Sequence, residues 1–167
     1  MALFPSVQEK AQAEIYRIVG PDRLPTFDDQ EGMPYLRAVV LETLPWSPSV
    51  PTAHRALSDD VYNGYFIPQG TTVVLNTWGM SRSTKYYQNP SVFDPERYLK
   101  PEPELDPREF VFGFGRRLCP GNELAFQAIW IMAASITSSF KLKRTVNDSA
   151  HLDDDVNRFN FEFLNVI

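Results

Sequence analysis

The chain has a single cysteine, Cys119, in the run Phe-Gly-Phe-Gly-Arg-Arg-Leu-Cys-Pro-Gly at residues 112–121, just ahead of a long apolar stretch. A thiol is mostly protonated near neutral pH, but a helix N-terminus and adjacent cations favour the thiolate, the form that ligates metal. Both influences are written beside Cys119: a helix expected to begin near Pro120, and the guanidinium groups of Arg116 and Arg117. Proline suits a first helical turn, where its missing N–H would have had no partner and its φ is already helical. Gly113, Gly115 and Gly121 permit sharp turns and close approach of the backbone to a flat ligand. These residue types and spacings predict a thiolate ligand for a metal-bearing group. Two plainer readings compete with it. A lone cysteine is commonly a small buried hydrophobe, and a glycine-rich turn before a helix is commonly only a turn. A phosphate cradle is disfavoured, because neither Gly-x-x-x-x-Gly-Lys-Ser/Thr nor a strand-glycine-helix dinucleotide fingerprint occurs.

The pattern Phe-x-x-Gly-x-Arg-x-Cys-x-Gly is complete as Phe112, Gly115, Arg117, Cys119 and Gly121. It resembles the heme-binding loop of the cytochrome P-450 heme-thiolate monooxygenases. The resemblance implies heme (iron protoporphyrin) as cofactor, Cys119 as the axial iron ligand and Arg117 as the partner of a heme propionate. A thiolate fifth ligand pushes electron density toward iron and favours O–O cleavage, which suits an oxygen-activating oxidoreductase. Upstream, Phe93-Asp94-Pro95-Glu96-Arg97-Tyr98-Leu99 resembles the family's Pro-Glu-Arg-Phe segment, with Tyr98 in place of phenylalanine; its plain reading is a polar turn. Further back, Ala53-His54-Arg55-Ala56 and the stretch from Gly64 to Thr71 resemble the family's small-sheet region. There the resemblance implies that Arg55 meets the second propionate. His54 is either a heme contact or a polar sheet residue.

Positioning these groups requires helices and short strands. Ser6 to Val19 has apolar residues at helical spacing (Val7, Ala11, Ile15, Ile18, Val19), and Gly20-Pro21 ends it. A Pro/Asp-rich loop to Gly32 leads to a second helix from about Pro34 to Leu44, an order that resembles the family's J and K helices. Tyr65 to Asn76 reads as a hairpin whose arms, Tyr65-Phe66-Ile67 and Thr71 to Leu75, flank Pro68-Gln69-Gly70. Asn122 to Phe140 reads as a long helix, with Leu124, Ala128, Ile131, Met132 and Ser135 as its core face and heme contact confined to its first turn. The expected class is mainly α with short β hairpins (α+β). By resemblance it is the C-terminal, heme-proximal portion of the cytochrome P-450 fold, with residues 1–167 as a single partial domain.

Two departures from the family pattern shape the functional expectation. The family's K helix carries Glu-x-x-Arg, whose charges join the arginine of the Pro-Glu-Arg segment to support the cysteine loop. Here the sequence is Glu42-Thr43-Leu44-Pro45. Glu42 is left to pair with Arg97, and Pro45 is expected to end the helix by pushing Leu44 out of the α region. An incomplete network is expected to weaken heme retention. Secondly, the family's acidic-Thr oxygen-activation motif, its heme-clamping Trp/Arg helix and its substrate-recognition segments have no counterpart in the chain, so no catalytic residue is identified. Two readings follow: the heme-iron-binding part of a monooxygenase that inserts one oxygen atom of O2 into an organic substrate, or a truncated, non-catalytic fragment or decayed-gene product with weak or no heme binding. The resemblance implies an electron-donating reductase and a small organic substrate as partners of the complete protein. Complete relatives are usually anchored at the endoplasmic reticulum facing the cytosol. Pro120 and the Trp46-Ser47-Pro48 neighbourhood look most like fungal members that act in secondary metabolism or on xenobiotics.

Composition agrees with a packed domain: 43% hydrophobic and 13% aromatic content favours burial over disorder. A net charge of −5 with no basic stripe disfavours nucleic acid, and one cysteine excludes an internal disulfide. No apolar run reaches the length of a membrane span, so none is expected in this chain. The acidic, proline-rich segment from Lys100 to Arg108 reads as a solvated meander, and Asp153-Asp154-Asp155 as a turn surface.

Overall fold

The computed structural model describes residues 1–46, 53–144 and 159–163. Ser47, Pro48 and Asp153 to Asp155 lie outside them. The described helices are α1 (Pro5–Val19), α2 (Pro34–Trp46), the short α3 (Thr77–Ser81) and α4 (Arg108–Val111), and α5 (Asn122–Ser139). Three two-stranded antiparallel sheets accompany them: β1 (Ala53–Arg55) with β4 (Thr72–Val74), β2 (Asp60–Tyr62) with β3 (Tyr65–Ile67), and β5 (Phe140–Arg144) with β6 (Phe159–Phe163). The class is thus mixed, mainly helical with small antiparallel sheets.

Helices α1, α2 and α5 meet around one apolar cluster built from Ala11, Ile15, Met33, Leu36, Val40, Leu41, Leu44, Phe126, Trp130 and Ala134. On α1 the buried positions Val7, Ala11 and Ile15 follow the expected stripe, joined by Gln8. Gln8 is buried because it serves a backbone: its amide donates to Leu142 O (3.0 Å) and accepts from Leu142 N (2.7 Å), tying β5 to α1. Glu14 does the same for a helix end. Its carboxylate accepts from the N–H groups of Tyr35 (3.0 Å) and Leu36 (2.8 Å), satisfying donors that a helix N-terminus leaves open and placing negative charge at its positive end.

Three expectations are corrected. Pro45 does not stop α2, which continues to Trp46 with Pro45 in its last turn. The end is held from outside: the Arg82 guanidinium donates to Pro45 O (3.0 Å) and Trp46 O (2.9 Å) and lies over the Trp46 ring, whose edge contacts Phe4 and Phe93. A cation on the last carbonyls of a helix is favoured by their unpaired lone pairs and the negative end of the dipole. Next, the runs 65–67 and 71–75 do not pair with each other. Tyr65–Ile67 returns along Asp60–Tyr62, with Tyr62 opposite Tyr65, while Thr72–Val74 pairs with Ala53–Arg55, with Arg55 opposite Thr72. The signal overlooked was Asn63-Gly64, where both residues adopt positive φ (50° and 83°) as a tight two-residue hairpin loop demands. Finally, the core face of α5 is Phe126, Trp130, Ala134 and Thr137. Leu124 and Met132, expected inside, are 76% and 60% exposed. A helix apolar on nearly every side gives its periodicity no preferred direction, so size and neighbours chose the face.

Candidate functional site

The loop around Cys119 is shaped by backbone. After α4, Gly113 and Gly115 take φ of 86° and 58°, values that residues with a Cβ rarely adopt, and Gly115–Arg117 forms a 3-10 turn. The Cys119 N–H then returns to Phe112 O at 2.9 Å, closing residues 112–119 into a loop. Helix α5 begins at Asn122 rather than near Pro120. Pro120 instead occupies the second position of a turn in which Asn122 N reaches Cys119 O (3.3 Å), a place that the fixed φ of proline also suits. Gly121 is the residue before the helix, at an ordinary φ of −92°, and a Cβ there would stand 3.9 Å from Cys119 Sγ.

Cys119 is free and exposed. Near it in sequence Phe114, Leu118 and Leu124 expose apolar side chains, while Phe112 is half-buried against the core. Arg116 and Arg117 are exposed, and neither makes a hydrogen bond or ion pair among the described residues. Arg55 and His54 lie on the exposed strand β1. Arg55 Nε donates to Gly70 O (3.2 Å), across from the Gly70 turn. Consecutive strand residues point to opposite faces, so His54 and Arg55 present their side chains to opposite sides of the sheet. Among the described residues no hydrogen bond joins either of them to the cysteine loop.

Apart from the loop, a buried ionic cluster is centred on Arg97, in the 3-10 turn Pro95–Tyr98 that packs on α2. Arg97 is only 2% exposed. Its Nε donates to Asp94 O (3.1 Å), Nη1 to Gln88 O (2.8 Å) and to Glu104 Oε2 (2.6 Å), and Nη2 to Val92 O (2.8 Å) and Asn89 O (3.4 Å). Glu104 also accepts from the Gln88 N–H (3.1 Å) and Lys100 (3.1 Å). Glu42 joins from α2: Oε1 accepts from the Asp94 N–H (2.9 Å), and Oε2 stands 3.1 Å from Arg97 Nε. That second contact is an ion pair without a hydrogen bond, because the one Nε hydrogen is aimed at Asp94 O and Oε2 has no partner. The hydroxyls of Tyr87 and Tyr98 are buried and unpartnered as well. Burial raises the Glu42 carboxyl above its ordinary range, and the Asp94 amide and Arg97 charge offset only part of that. Burial also pushes Glu104 upward, but the hydrogen bonds from Arg97 and Lys100 outweigh it and hold Glu104 below the ordinary range.

The sequence reading took Lys100 to Arg108 as solvated and so missed Glu104, and it did not single out Arg82. Neither carries a sequence signal, since each finds its partner across irregular chain with no period.

Comparison with known proteins bears on this geometry. The family model for cytochrome P-450 matches residues 1–157. The chain belongs to the cytochrome P-450 family. It is similar to cytochrome P-450 monooxygenase claR of Ampulloclitocybe clavipes, at 44% identity over 95% of this chain and 30% of that protein. It is also 41% identical to cytochrome P-450 monooxygenase CLM2 of Gibberella zeae and 46% identical to cytochrome P-450 monooxygenase 136 of Postia placenta, over 90% and 88% of this chain and 29% of each relative. The relatives are fungal monooxygenases by name, and the chain spans about 30% of their length. The P-450 family is heme-dependent, so membership carries heme and heme-thiolate oxidoreductase character by resemblance. Among the described residues no helix is long and apolar enough to cross a membrane.

Proposed function

We propose that residues 112–121 are the proximal loop of a heme-thiolate site, with Cys119 as the iron ligand and Arg117 as a propionate partner. The observation that carries the reading is the exposed Cys119 thiol on a loop closed by its own N–H to Phe112 O, with Gly121 leaving the space beside Sγ without a side chain. The surroundings suit a flat apolar macrocycle bearing two carboxylates. Such a group would cover the exposed Phe114, Leu118 and Leu124 and meet the uncommitted guanidinium groups of Arg116 and Arg117. Arg55 extends the proposal to β1 as a second propionate partner; His54, on the opposite face of the strand, is either a further heme contact or a polar sheet residue. Glu42 and Arg97 serve as the structural network behind the loop. Residues 1–167 are read as one partial domain, the heme-proximal part of the fold, whose helices share a single core.

Bound heme would supply the redox-active iron at which dioxygen is activated. The residues present here bind and orient. Cys119 offers its sulfur from a backbone fixed at both its N–H and its carbonyl, which limits how far the ligand can drift. Arg117 anchors one polar edge, and the apolar side chains exclude water from the proximal face. For the whole protein we propose insertion of one oxygen atom of O2 into a small organic substrate, with electrons from a reductase. The test is the carbon-monoxide spectrum of reduced, heme-supplied protein. A thiolate-type Soret band that Cys119→Ala abolishes is expected, with Arg117→Ala lowering heme retention without moving the band. A band unchanged in Cys119→Ala rejects the ligand assignment.

A further inference from the structure

The loop that carries Cys119 hangs between two helices. Cys119 donates its N–H to Phe112 O (2.9 Å), at the end of α4, and its own carbonyl accepts from the N–H of Asn122 (3.3 Å), the first residue of α5. The direction of its side chain therefore depends on how α4 and the start of α5 stand relative to each other. Val111 and Phe112 pack against the core that holds Phe126, but apolar contact is non-directional and does not by itself fix an orientation. Among the described residues, the ion pair and the ring contact that join the two flanks both belong to Arg108. In sequence Arg108 closes the acidic, proline-rich stretch, and only the fold brings it to α5.

Arg108 opens α4 and is locked before it reaches across. Asp106 accepts from the Arg108 N–H (2.9 Å) and Nε (3.1 Å) with one oxygen and from Nη2 (2.7 Å) with the other. A guanidinium gripped in this forked way has its plane fixed. It lies over the Phe126 ring, with Cζ 4.8 Å from the ring centroid. Phe126 is 1% exposed and sits in the second turn of α5. The remaining Nη1 stands 4.0 Å from Glu123 Oε2, while the other Glu123 oxygen accepts from Gln127 Nε2 (2.7 Å). The Glu123 side chain is 66% exposed, so this long pair contributes little in water. A cation over a buried aromatic ring is stronger than one at an open surface, so the Phe126 contact is the one that couples the helices.

We infer that Arg108 is a positioning residue for Cys119: held by Asp106 on the α4 side, it braces the start of α5 through the Phe126 ring and so fixes where the sulfur points. This role presupposes Cys119 as the iron ligand, whereas the brace itself exists without heme. A simpler role would confine Arg108 to its contact with Asp106, steadying the start of α4 and nothing beyond. The two roles differ in whether the effect of losing Arg108 passes through Phe126.

Amide hydrogen exchange of the heme-free chain reads that path. The amides of Cys119 and Ala125, bonded to Phe112 O and Gly121 O, report the loop and the first turn of α5, and the amide of Ile15 in α1 reports global opening. Arg108→Ala is expected to speed exchange at Cys119 and Ala125 by about tenfold beyond any change at Ile15. Phe126→Leu keeps the space filled without the ring. In that background the same Arg108→Ala step should change the Cys119 amide by less than about twofold, because the contact it removes is already gone. Arg108→Lys keeps a charge beside Asp106 and gives up the planar fork; it is expected to fall between wild type and Arg108→Ala, and it takes the place of the alanine variant in the cycle should that variant not fold. Equal acceleration with and without the Phe126 ring, or acceleration at Ile15 as large as at Cys119, overturns the inference. Heme-supplied protein gives a second readout. With Cys119 intact, Arg108→Ala should lose part of the thiolate-type Soret band of the reduced carbon-monoxide complex to the band of a protonated or detached sulfur. A thiolate-type band kept in full also overturns the inference. Absence of that band in wild type rejects the Cys119 ligand assignment instead, and the exchange cycle then decides on the brace alone.

Discussion

Around Arg97 all five N–H groups of a guanidinium have acceptors, four of them carbonyls of neighbouring chain and one a carboxylate. Around Cys119 only backbone hydrogen bonds, among them Cys119 N–H to Phe112 O, Leu118 N–H to Gly115 O and Asn122 N–H to Cys119 O, hold a loop whose thiol, arginines and exposed apolar side chains are open to solvent. In the first region the cation is satisfied from within, and the second leaves its chemistry unspent. A cation buried with every donor engaged fixes the path of the irregular chain that leads into α4, because moving any of its acceptors would strand a charge. A loop with free cations and exposed apolar groups has its capacity for contact still available. The meander is therefore fixed by its own buried contacts, while the cysteine loop keeps exposed groups available for contact.

The largest expected effect breaks the first region. Arg97→Ala removes the cation from two buried carboxylates and takes a donor from four carbonyls, two of which (Asp94 and Asn89) keep a backbone N–H partner, a loss of about 3–5 kcal/mol in urea denaturation. A loss below about 1 kcal/mol would mean that the meander does not depend on this centre. Arg97→Lys sharpens the point, since it keeps the charge without the planar fork and should recover only part of the loss. Pro45→Arg tests what the cluster lacks. It restores a backbone donor and brings a cation to Glu42 Oε2, for a gain on the order of 3 kcal/mol. The gain should shrink when Glu42→Ala is added. An equal gain in both backgrounds would assign it to relief of a helical proline alone.

Smaller effects are expected in the second region. Gly113→Ala forces a side chain into φ of 86° and should cost about 1–2 kcal/mol. Its source is backbone strain and not crowding, because the new Cβ would meet Arg117 O at an ordinary 3.8 Å. Gly121→Ala, at an ordinary φ, should leave apo stability nearly unchanged while lowering heme affinity, which titration of the two forms would separate. Smallest of all is Cys119→Ala in the apo protein. An exposed side chain contributes little packing, so its melting curve should shift by no more than about 0.5 kcal/mol while the thiolate-type Soret band is lost. A large loss of apo stability would show that the cysteine is a structural residue and erase the contrast between the two regions.

Local chemistry carried much of this molecule into view from the sequence. Val7, Ala11 and Ile15 repeat at a spacing only a helix buries on one side, and Gly20 ends it. The glycines at 113 and 115 announced positive φ, and the spacing from Phe112 to Gly121 carried the family resemblance, because these depend on residues close together in the chain. Asn63-Gly64 is an equally local turn signal, and it sets the strand pairing that the longer β-rich runs beside it do not. Other features were decided only in three dimensions. Which face of α5 is buried depended on where α1 and α2 lie, since the helix is apolar almost all round. Whether α2 survives Pro45 depended on Arg82, which is 37 positions away. The choice of Glu104 over the neighbouring acids of a proline-rich stretch depended on the position of Arg97. Periodicity and turn propensity are properties of adjacent residues and can be read along a chain, whereas the state of a buried charge is set by every group around it, and that surrounding exists only after folding.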